Sequence, residues 1–470
     1  MRRNSELLFT LGDEKGPVYR RLYRRMRGLI LDGSWPAGAR LPSSRALAEE
    51  LGISRNTALH AIDLLIADGW VRARHGSAVY VASRASAPHV ARESGRPAPS
   101  PPIPFEMGRH TAEFFPRERW SALQARLWNE ADPAMLYGAD AGGWPALRQA
   151  IAGFAAGARG MAADSDRVIV LSSTQAAIDL VTRVLGQAGD RIWVEDPGYP
   201  LAHQLLRANG LAPVPVPVDA EGLRVAEGIA AAPDARFAYV TPACQFPTGR
   251  SMSEARRREL LDWARERQAW VIEDDWEWHA RFDGEAAPPA LQSIPGGERV
   301  IYVQTFNRTI YPALRLAFLI APQAIAESLR AAYERTDGGP NVPLQATLAR
   351  FLDSGLYAAH LRATRAAYAE RRVALFAALA DLPRGFTLRP DRAGLHAVVS
   401  TPPGLDDARI AAELRAAGIA CMGIGEFALE RSGESGLVLG FAAFPPEQLT
   451  EAGQRLTKLV RQIAANEVDT

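Results

Sequence analysis

The sequence predicts an α/β protein: a small helical head, a body built on a mainly parallel sheet, and a smaller α+β subdomain near the C-terminus. Residues 16–82, the head, are dense in helical periodicity. In the body, residues 105–470, short apolar runs alternate with helical patterns. These runs lack polar alternation, as strands buried on both faces do. Residues 83–104 are rich in proline, serine and alanine, which predicts a semi-extended linker.

Composition narrows the class of protein. The length of 470 residues predicts two or three domains, and the hydrophobic and charged fractions of 47% and 23% are ordinary for a globular protein. No apolar run reaches 18 residues and the start lacks a signal-peptide pattern, so we expect no membrane span. The two cysteines, Cys244 and Cys421, form neither a disulfide framework nor a metal cluster, which favours a reducing cytoplasm.

The net charge of +1 is unevenly distributed. Residues 1–82 carry 13 basic and 8 acidic residues, a net charge of +5, and the remainder carries −4. A basic head on a mildly acidic body is typical of a module that binds a polyanion joined to another domain. Chance and the high arginine content of the chain remain an alternative explanation.

The head is predicted to hold a helix-turn-helix and a wing. A serine can cap the second helix and another the third, and glycines end both helices. Residues 70–81 are predicted to form two short strands around a turn. The predicted helices are Tyr19–Leu31, Ala46–Leu51 and Arg55–Asp68.

The third helix begins with side chains suited to DNA. The N-terminal end of a recognition helix meets base edges, and arginine, asparagine and threonine suit such contacts. The head resembles the winged helix-turn-helix domain of the GntR family of bacterial transcription regulators, through Leu41–Arg45, Ser54–Thr57 and Gly76-Ser77. Ala78 departs from the wing pattern, where a turn needing positive φ would be strained. The resemblance, with the helix position, implies DNA contacts by Arg45, Ser54, Arg55, Asn56, Thr57, His75 and Gly76. The alternative is that residues 54–57 merely cap a structural helix.

In the body, six apolar runs are predicted to be strands and helical segments lie between most of them. The predicted strands are Val168–Leu171, Ile192–Glu195, Phe237–Val240, Trp270–Glu273, Val300–Gln304 and Leu316–Ile320. Two β-like runs follow the helical stretch Ala358–Leu379, around Leu395–Ser400 and Leu437–Phe441.

The body resembles the fold type I aminotransferases along most of its length. The matching stretches include Val194–Tyr199, Thr241–Gly249, Glu273-Asp274-Asp275 and Pro312–Leu316, in the same order. A GntR head on such a body is typical of the MocR subfamily of regulators. The resemblance implies a head-to-tail homodimer that binds a double-stranded DNA operator.

The resemblance also implies a degenerate pyridoxal-phosphate site. Asp274 matches the carboxylate at the ring nitrogen, and Thr305 and Arg315 match the phosphate contacts. Tyr199 matches the side chain that stacks on the ring. Changes at Ser173, Cys244 and Trp276 alter other parts of the family's site.

Arg308 occupies the position at which the family has the lysine that bonds covalently to the cofactor aldehyde. An imine needs a free amine, and arginine stays protonated, so we expect no covalent pyridoxal phosphate. The chain has only two lysines, Lys15 and Lys458, and both lie far from this segment in sequence.

Two interpretations of the pocket stay open. In one, Asp274 and Arg315 are structural remnants that form a buried pair. In the other, the pocket holds pyridoxal phosphate or another anionic ligand without a covalent bond. Burying Arg308 and Arg315 unpaired would be costly, which favours an anionic occupant or a salt bridge to an unidentified acid.

The leading hypothesis for function is a cytoplasmic transcription regulator that is not an enzyme. A DNA-binding dimer with a purely structural body is the main alternative. Arg308 argues against an active aminotransferase.

Overall fold

The computed structural model describes residues 16–74, 78–82, 103–108, 113–130, 133–336, 339–391, 393–430 and 433–468. The chain divides into two compact units, Met1–Pro101 and Pro102–Thr470. Two of the predicted site residues, His75 and Gly76, lie outside the described residues. Residues 83–102 of the predicted linker also lie outside them. Of the helices in the described part, none is long and apolar enough to cross a membrane.

The head is a three-helix unit closed by a β-hairpin. Its helices are α1 Val18–Leu31, α2 Ser44–Leu51 and α3 Arg55–Ala67, and its strands are β1 Val71–Arg74 and β2 Ala78–Val81. The apolar stripe of α1 packs on α3, and Leu22, Met26 and Leu65 are fully buried. Both later helices begin at a capping serine, as predicted. The two strands pair antiparallel with Arg74 opposite Ala78, which confirms the predicted wing strands.

The body contains eleven helices and twelve strands within the described residues. The helices are α4 Arg117–Asn129, α5 Pro145–Arg159, α6 Thr174–Leu185, α7 Pro200–Ala208, α8 Val225–Ala231, α9 Glu254–Glu266, α10 Gln323–Glu334, α11 Val342–Asp353, α12 Leu356–Ala378, α13 Asp407–Ala416 and α14 Pro446–Val468. The strands are β3 Val168–Leu171, β4 Arg191–Asp196, β5 Ala212–Asp219, β6 Gly222–Leu223, β7 Phe237–Val240, β8 Trp270–Asp274, β9 Val300–Thr305, β10 Ala317–Ile320, β11 Thr387–Leu388, β12 His396–Ser400, β13 Met422–Gly423 and β14 Gly436–Gly440.

An eight-stranded, mainly parallel sheet forms the centre of the body. Its strand order is β3-β10-β9-β8-β7-β4-β5-β6. The neighbouring strands β9, β8, β7, β4 and β5 pair in parallel, whereas β10 runs antiparallel to both of its neighbours. All six predicted strands are present, and β3, β7 and β10 are buried along their whole length. Helix-covered parallel strands must be apolar on both faces, which explains why the runs lack alternation.

The sequence prediction missed β5, because this strand contains three prolines. Pro213, Pro215 and Pro217 alternate with valines along Ala212–Asp219. Prolines at every second position leave all their missing N–H groups on one side of the strand. The other side pairs with β4 over six residues, while the two-residue β6 covers only the end of β5. A proline-rich strand therefore fits here, next to the edge of the sheet.

The smaller C-terminal subdomain is a four-stranded antiparallel sheet in the order β11-β12-β14-β13. It shares an apolar core with α12, α13 and α14. The segment that enters the body also joins this sheet: Phe105 forms an antiparallel bridge with Gly440, and Pro104 O accepts a hydrogen bond from Ala420 N. The start of the body is thereby fixed against the C-terminal subdomain.

Candidate functional site

A cavity of about 270 Å³ opens in the body where β8 and β9 end and α6 begins. All five pocket residues expected from the sequence line it: Tyr199, Asp274, Thr305, Arg308 and Arg315. Carboxyl ends of parallel strands are the usual place for ligands in such sheets. The fold therefore brings together side chains that lie up to 116 positions apart in the sequence.

Three consecutive acids with three different roles lie at the end of β8: Glu273 and Asp274 are its last residues and Asp275 follows it. Because successive side chains of a strand point to opposite faces, Glu273 and Asp275 share one face and Asp274 lies on the other. Glu273 accepts hydrogen bonds from two backbone N–H groups, including that of Leu291 at 2.8 Å. Asp275 forms a buried ion pair with Arg159 at 2.6 Å. Asp274 alone of the three lines the cavity.

Asp274 presents a free acceptor. Its Oδ2 accepts a hydrogen bond from the Tyr239 hydroxyl at 2.8 Å, while its Oδ1 is buried and has no hydrogen-bond partner in the described part of the chain. Burial raises the pKa of this carboxyl to about 7, and the Tyr239 hydrogen bond and the Arg308 charge oppose that rise. An unsatisfied buried acceptor is costly, so a ligand N–H group at Oδ1 would be stabilised. The protonated ring nitrogen of pyridoxal phosphate fits this requirement.

Arg308 is paired with a buried acid. Its guanidinium forms an ion pair with Oε1 of Glu277, whose side chain is fully buried. Glu277 Oε2 accepts from Leu395 N at 2.9 Å, so both of its oxygens are engaged. The Arg308 guanidinium also lies 4.9 Å from the ring centroid of Trp276. Of the two alternatives left open for this cation, a salt bridge to an acid and an anionic occupant, the structure contains the salt bridge, and the acid is Glu277.

Arg315 also lines the cavity and is exposed. It has no ion-pair partner within the described ranges, so the interpretation that it forms a buried pair with Asp274 is wrong. Its backbone is left-handed, with φ 54°, a conformation that non-glycine residues rarely adopt and that clusters at functional sites. Among the described residues, Arg315 is therefore a cation beside the cavity without an ion-pair partner.

The loop between β9 and Arg308 is fixed by hydrogen bonds. Thr305 Oγ1 accepts from Asn307 N at 3.1 Å. The Asn307 side chain donates to Ser172 O at 3.2 Å and accepts from Leu316 N at 2.8 Å. These contacts join the loop to the start of α6 and to Leu316, so Thr305 and Arg308 are held by a rigid frame.

Two side chains at positions that depart from the family pattern form hydrogen bonds with the backbone. Ser173 has an extended φ of −167° and caps α6 by accepting from Ala176 N at 3.2 Å, so its backbone does not require glycine. Trp276 Nε1 donates to Cys244 O at 2.7 Å, which leaves no donor for a ligand hydroxyl.

The segment after the predicted linker forms part of the cavity wall. Gly108 lines the cavity, and its carbonyl oxygen accepts a hydrogen bond from Arg308 Nη1 at 3.4 Å. The same segment crosses Gly440, where an added Cβ would lie 2.6 Å from Glu106 O. Close packing of the two backbones therefore requires glycine at position 440.

The head presents a second candidate site at the start of α3. Ser54 Oγ caps the helix by accepting from Thr57 N at 3.1 Å, and the Thr57 hydroxyl lies 2.8 Å from the Ser54 hydroxyl, so the side chains of both residues are engaged at the helix start. Arg55 and Asn56 are exposed, as is Arg45 at the start of α2. Neither arginine has an ion-pair partner within the described residues. The capping interpretation therefore accounts for Ser54 and Thr57 but not for Arg55 and Asn56.

Sequence reasoning missed Glu277 and Gly108. Glu277 lies 31 residues before Arg308, and only the sheet brings them together. The only hint in the sequence was that an acid, Glu277, lies shortly after Asp274 in a chain that has arginine at the family's lysine position. For Gly108 the sequence carried no signal, because its role depends on how the body begins.

The two units match two known families. Residues 18–81 match the bacterial regulatory proteins of the gntR family, and residues 117–456 match aminotransferase class I and II. The chain is 33% identical, over 93% of both chains, to the probable rhizopine catabolism regulatory protein MocR of Rhizobium meliloti. It is 29% identical to the pyridoxine biosynthesis transcriptional regulator PdxR of Corynebacterium glutamicum, over 91% of this chain and 92% of that protein.

Among solved structures, the body is similar to LysN, the alpha-aminoadipate aminotransferase of Thermus thermophilus, determined in complex with N-(5'-phosphopyridoxyl)-L-leucine. The TM-score is 0.69 at 27% identity, over 77% of this chain and 92% of LysN. The similarity to an enzyme covers the body, whereas the similarity to regulators extends over the head as well.

Proposed function

The chain belongs to the MocR-type regulators of the GntR family, and on that premise we propose that it is a cytoplasmic regulator that binds a DNA operator as a dimer and a ligand reversibly in its body. Arg55 and Asn56 carry the DNA-binding part of the proposal. They are exposed on the first turn of α3 and make no ion pair with the described residues, and in winged helix-turn-helix domains this turn is the part that meets base edges. Arg45, Ser54, Thr57, His75 and Gly76 complete the proposed DNA surface.

The double variant Arg55→Ala/Asn56→Ala tests this proposal. We expect its affinity for a fragment containing the promoter beside the protein's own gene to fall by about 100-fold, since each base contact contributes about 1–3 kcal/mol. Fluorescence anisotropy at fixed salt measures the loss, because operator affinity depends strongly on salt. Arg119→Ala is the control, since it removes an exposed arginine from the body. Wild-type affinity in the double variant would exclude α3 as the recognition helix.

The ligand part of the proposal is supported by the unpartnered Oδ1 of Asp274 and the free cation of Arg315. A structural remnant would be expected to satisfy its buried polar atoms internally. Thr305 and Arg315 would hold the phosphate, Asp274 the ring nitrogen, and Tyr199 the ring. Arg308 offers no amine for a covalent bond, so the ligand is held by non-covalent contacts and transamination is not proposed.

The alternative is a ligand-independent DNA-binding dimer. The fixed Arg308–Glu277 pair favours it, because this pair stabilises the body without any occupant. Operator affinity that does not respond to pyridoxal phosphate or to other phosphorylated metabolites would support this alternative over sensing.

A second copy of the chain is the proposed partner of an apolar surface at the end of α4. Trp128, Leu136 and Tyr137 are 52%, 66% and 91% exposed, and they lie within ten residues of one another in the sequence. Exposed apolar side chains concentrated in this way are typical of protein interfaces. Burying them would support the head-to-tail dimer that the family resemblance implies.

Leu136→Asp is expected to convert the dimer to a monomer at micromolar concentration. The side chain is mostly exposed, so folding is preserved, whereas the dimer would bury an uncompensated charge. Sedimentation velocity measures the change. Val373→Asp is the matched control, because Val373 is 67% exposed and lies on α12, outside the segment that forms the proposed surface. Val373→Asp should stay dimeric, and a Leu136→Asp variant that also stays dimeric would show that the interface lies elsewhere.

A further inference from the structure

We infer that Arg308 makes the pocket selective among phosphorylated pyridines: it accepts a ligand whose substituent facing residue 308 carries an oxygen acceptor and rejects one that carries an ammonium group. The inference rests on the proposed ligand site and specifies its chemistry. Arg308 then determines which ligand binds, whereas the family resemblance implied only that position 308 had lost its lysine.

Arg308 retains an unsatisfied donor beside the cavity. One Nη atom is paired with Glu277 and the other donates to Gly108 O. Its Nε is buried and has no hydrogen-bond partner among the residues that the structure describes. Guanidinium groups have only donors, so the missing partner must be an acceptor.

Glu277 cannot offer its charge to an incoming cation. Its side chain is fully buried, one oxygen binds Arg308 and the other accepts from Leu395 N. A positively charged substituent at this end of the cavity would therefore meet the guanidinium rather than the carboxylate. Like charges in contact inside a partly desolvated cavity disfavour binding.

Asp274 sets the opposite requirement. Its buried Oδ1 lacks a partner within the described ranges and needs a donor, whereas Arg308 Nε needs an acceptor. Both side chains line the same cavity. A pyridine that has a protonated ring nitrogen on one edge and an oxygen substituent on another satisfies both. Pyridoxal phosphate, with an aldehyde, and pyridoxine phosphate, with a hydroxymethyl group, meet this description. Pyridoxamine phosphate, with a protonated aminomethyl group at neutral pH, does not.

The test is equilibrium binding of these three compounds to the full-length protein at pH 7.5, followed by calorimetry. We expect pyridoxal phosphate and pyridoxine phosphate to bind within a few-fold of each other. Pyridoxamine phosphate should bind at least about tenfold more weakly, a difference that corresponds to about 1.4 kcal/mol. In the charge-balanced variant Glu277→Gln/Arg308→Gln, which leaves no buried unpaired charge, this difference should shrink to less than about threefold.

Arg315→Gln is the matched control, because it removes a pocket arginine at the proposed phosphate end. It should weaken all three compounds to a similar extent and leave the ratio between them unchanged. Equal or tighter binding of pyridoxamine phosphate by the wild type would overturn the selectivity and leave the ligand site standing. Failure of all three to bind at millimolar concentration would overturn both the ligand site and the selectivity.

Discussion

Arg308→Met is expected to lower the free energy of unfolding by about 3–5 kcal/mol, because it leaves the fully buried carboxylate of Glu277 without its cation. Glu277→Gln should cost less, about 1–3 kcal/mol, since Arg308 is 25% exposed and keeps its contact with Trp276. The double variant removes both charges together. Its loss should fall short of the sum of the single losses by about 2 kcal/mol or more.

Urea unfolding of the full-length variants, followed by tryptophan fluorescence, measures these differences. The control cycle uses Arg126 and Glu130, an exposed i,i+4 pair on α4 with side chains 71% and 47% exposed. That pair should show no measurable coupling, because solvent screens exposed charges. Additive effects of Arg308→Met and Glu277→Gln would contradict the ion pair and return Arg308 to the status of a free cation in the pocket.

Arg308→Lys is expected to restore covalent capture of pyridoxal phosphate. The acceptor of Asp274 and the cation of Arg315 remain in place, and the new side chain supplies the missing amine. Addition of pyridoxal phosphate and then borohydride should leave a phosphopyridoxyl label on the peptide containing position 308, as mass spectrometry detects.

The carboxylate of Glu277 should limit this capture at neutral pH. A neighbouring negative charge favours the protonated amine and so raises the pKa of the introduced side chain. Labelling of Arg308→Lys should therefore increase from pH 7 to pH 9, and Glu277→Gln in the same chain should bring the increase to lower pH. Arg315→Lys, which places lysine at the exposed end, should remain unlabelled at the same concentration. If Arg308→Lys/Glu277→Gln is unlabelled even at pH 9, the pocket no longer fits the cofactor.

An element of the fold was predictable from the sequence where its local residue pattern matches its burial in the structure. Strands such as Phe237–Val240 are buried on both faces, so an apolar run suffices to indicate them. The capping serines Ser43 and Ser54 act through contacts three residues away, and these too are visible in the sequence. The proline-rich strand Ala212–Asp219 was not predictable, because its pairing depends on its place beside the sheet edge.

The site was predictable residue by residue but not in its pairings. Motif order identified Asp274, Thr305 and Arg315 as pocket residues, and all three line the cavity. The partner of Arg308 could not be read from the sequence. Glu277 follows the end of β8 and Arg308 follows the end of β9, and they meet only because these two strands pair in the sheet. An ion pair between distant segments is a property of the tertiary structure, and no spacing rule specifies it.

We propose that this regulator holds a phosphorylated pyridine reversibly, with Arg308 in place of a covalent anchor. Dialysis of the wild-type protein saturated with pyridoxal phosphate, with and without prior borohydride treatment, tests it most directly. We predict about one bound molecule per chain at saturation, complete release on dialysis in both samples, and no label on any pocket peptide. Absence of binding at saturation, or a borohydride-fixed label in the wild-type pocket, would contradict the claim.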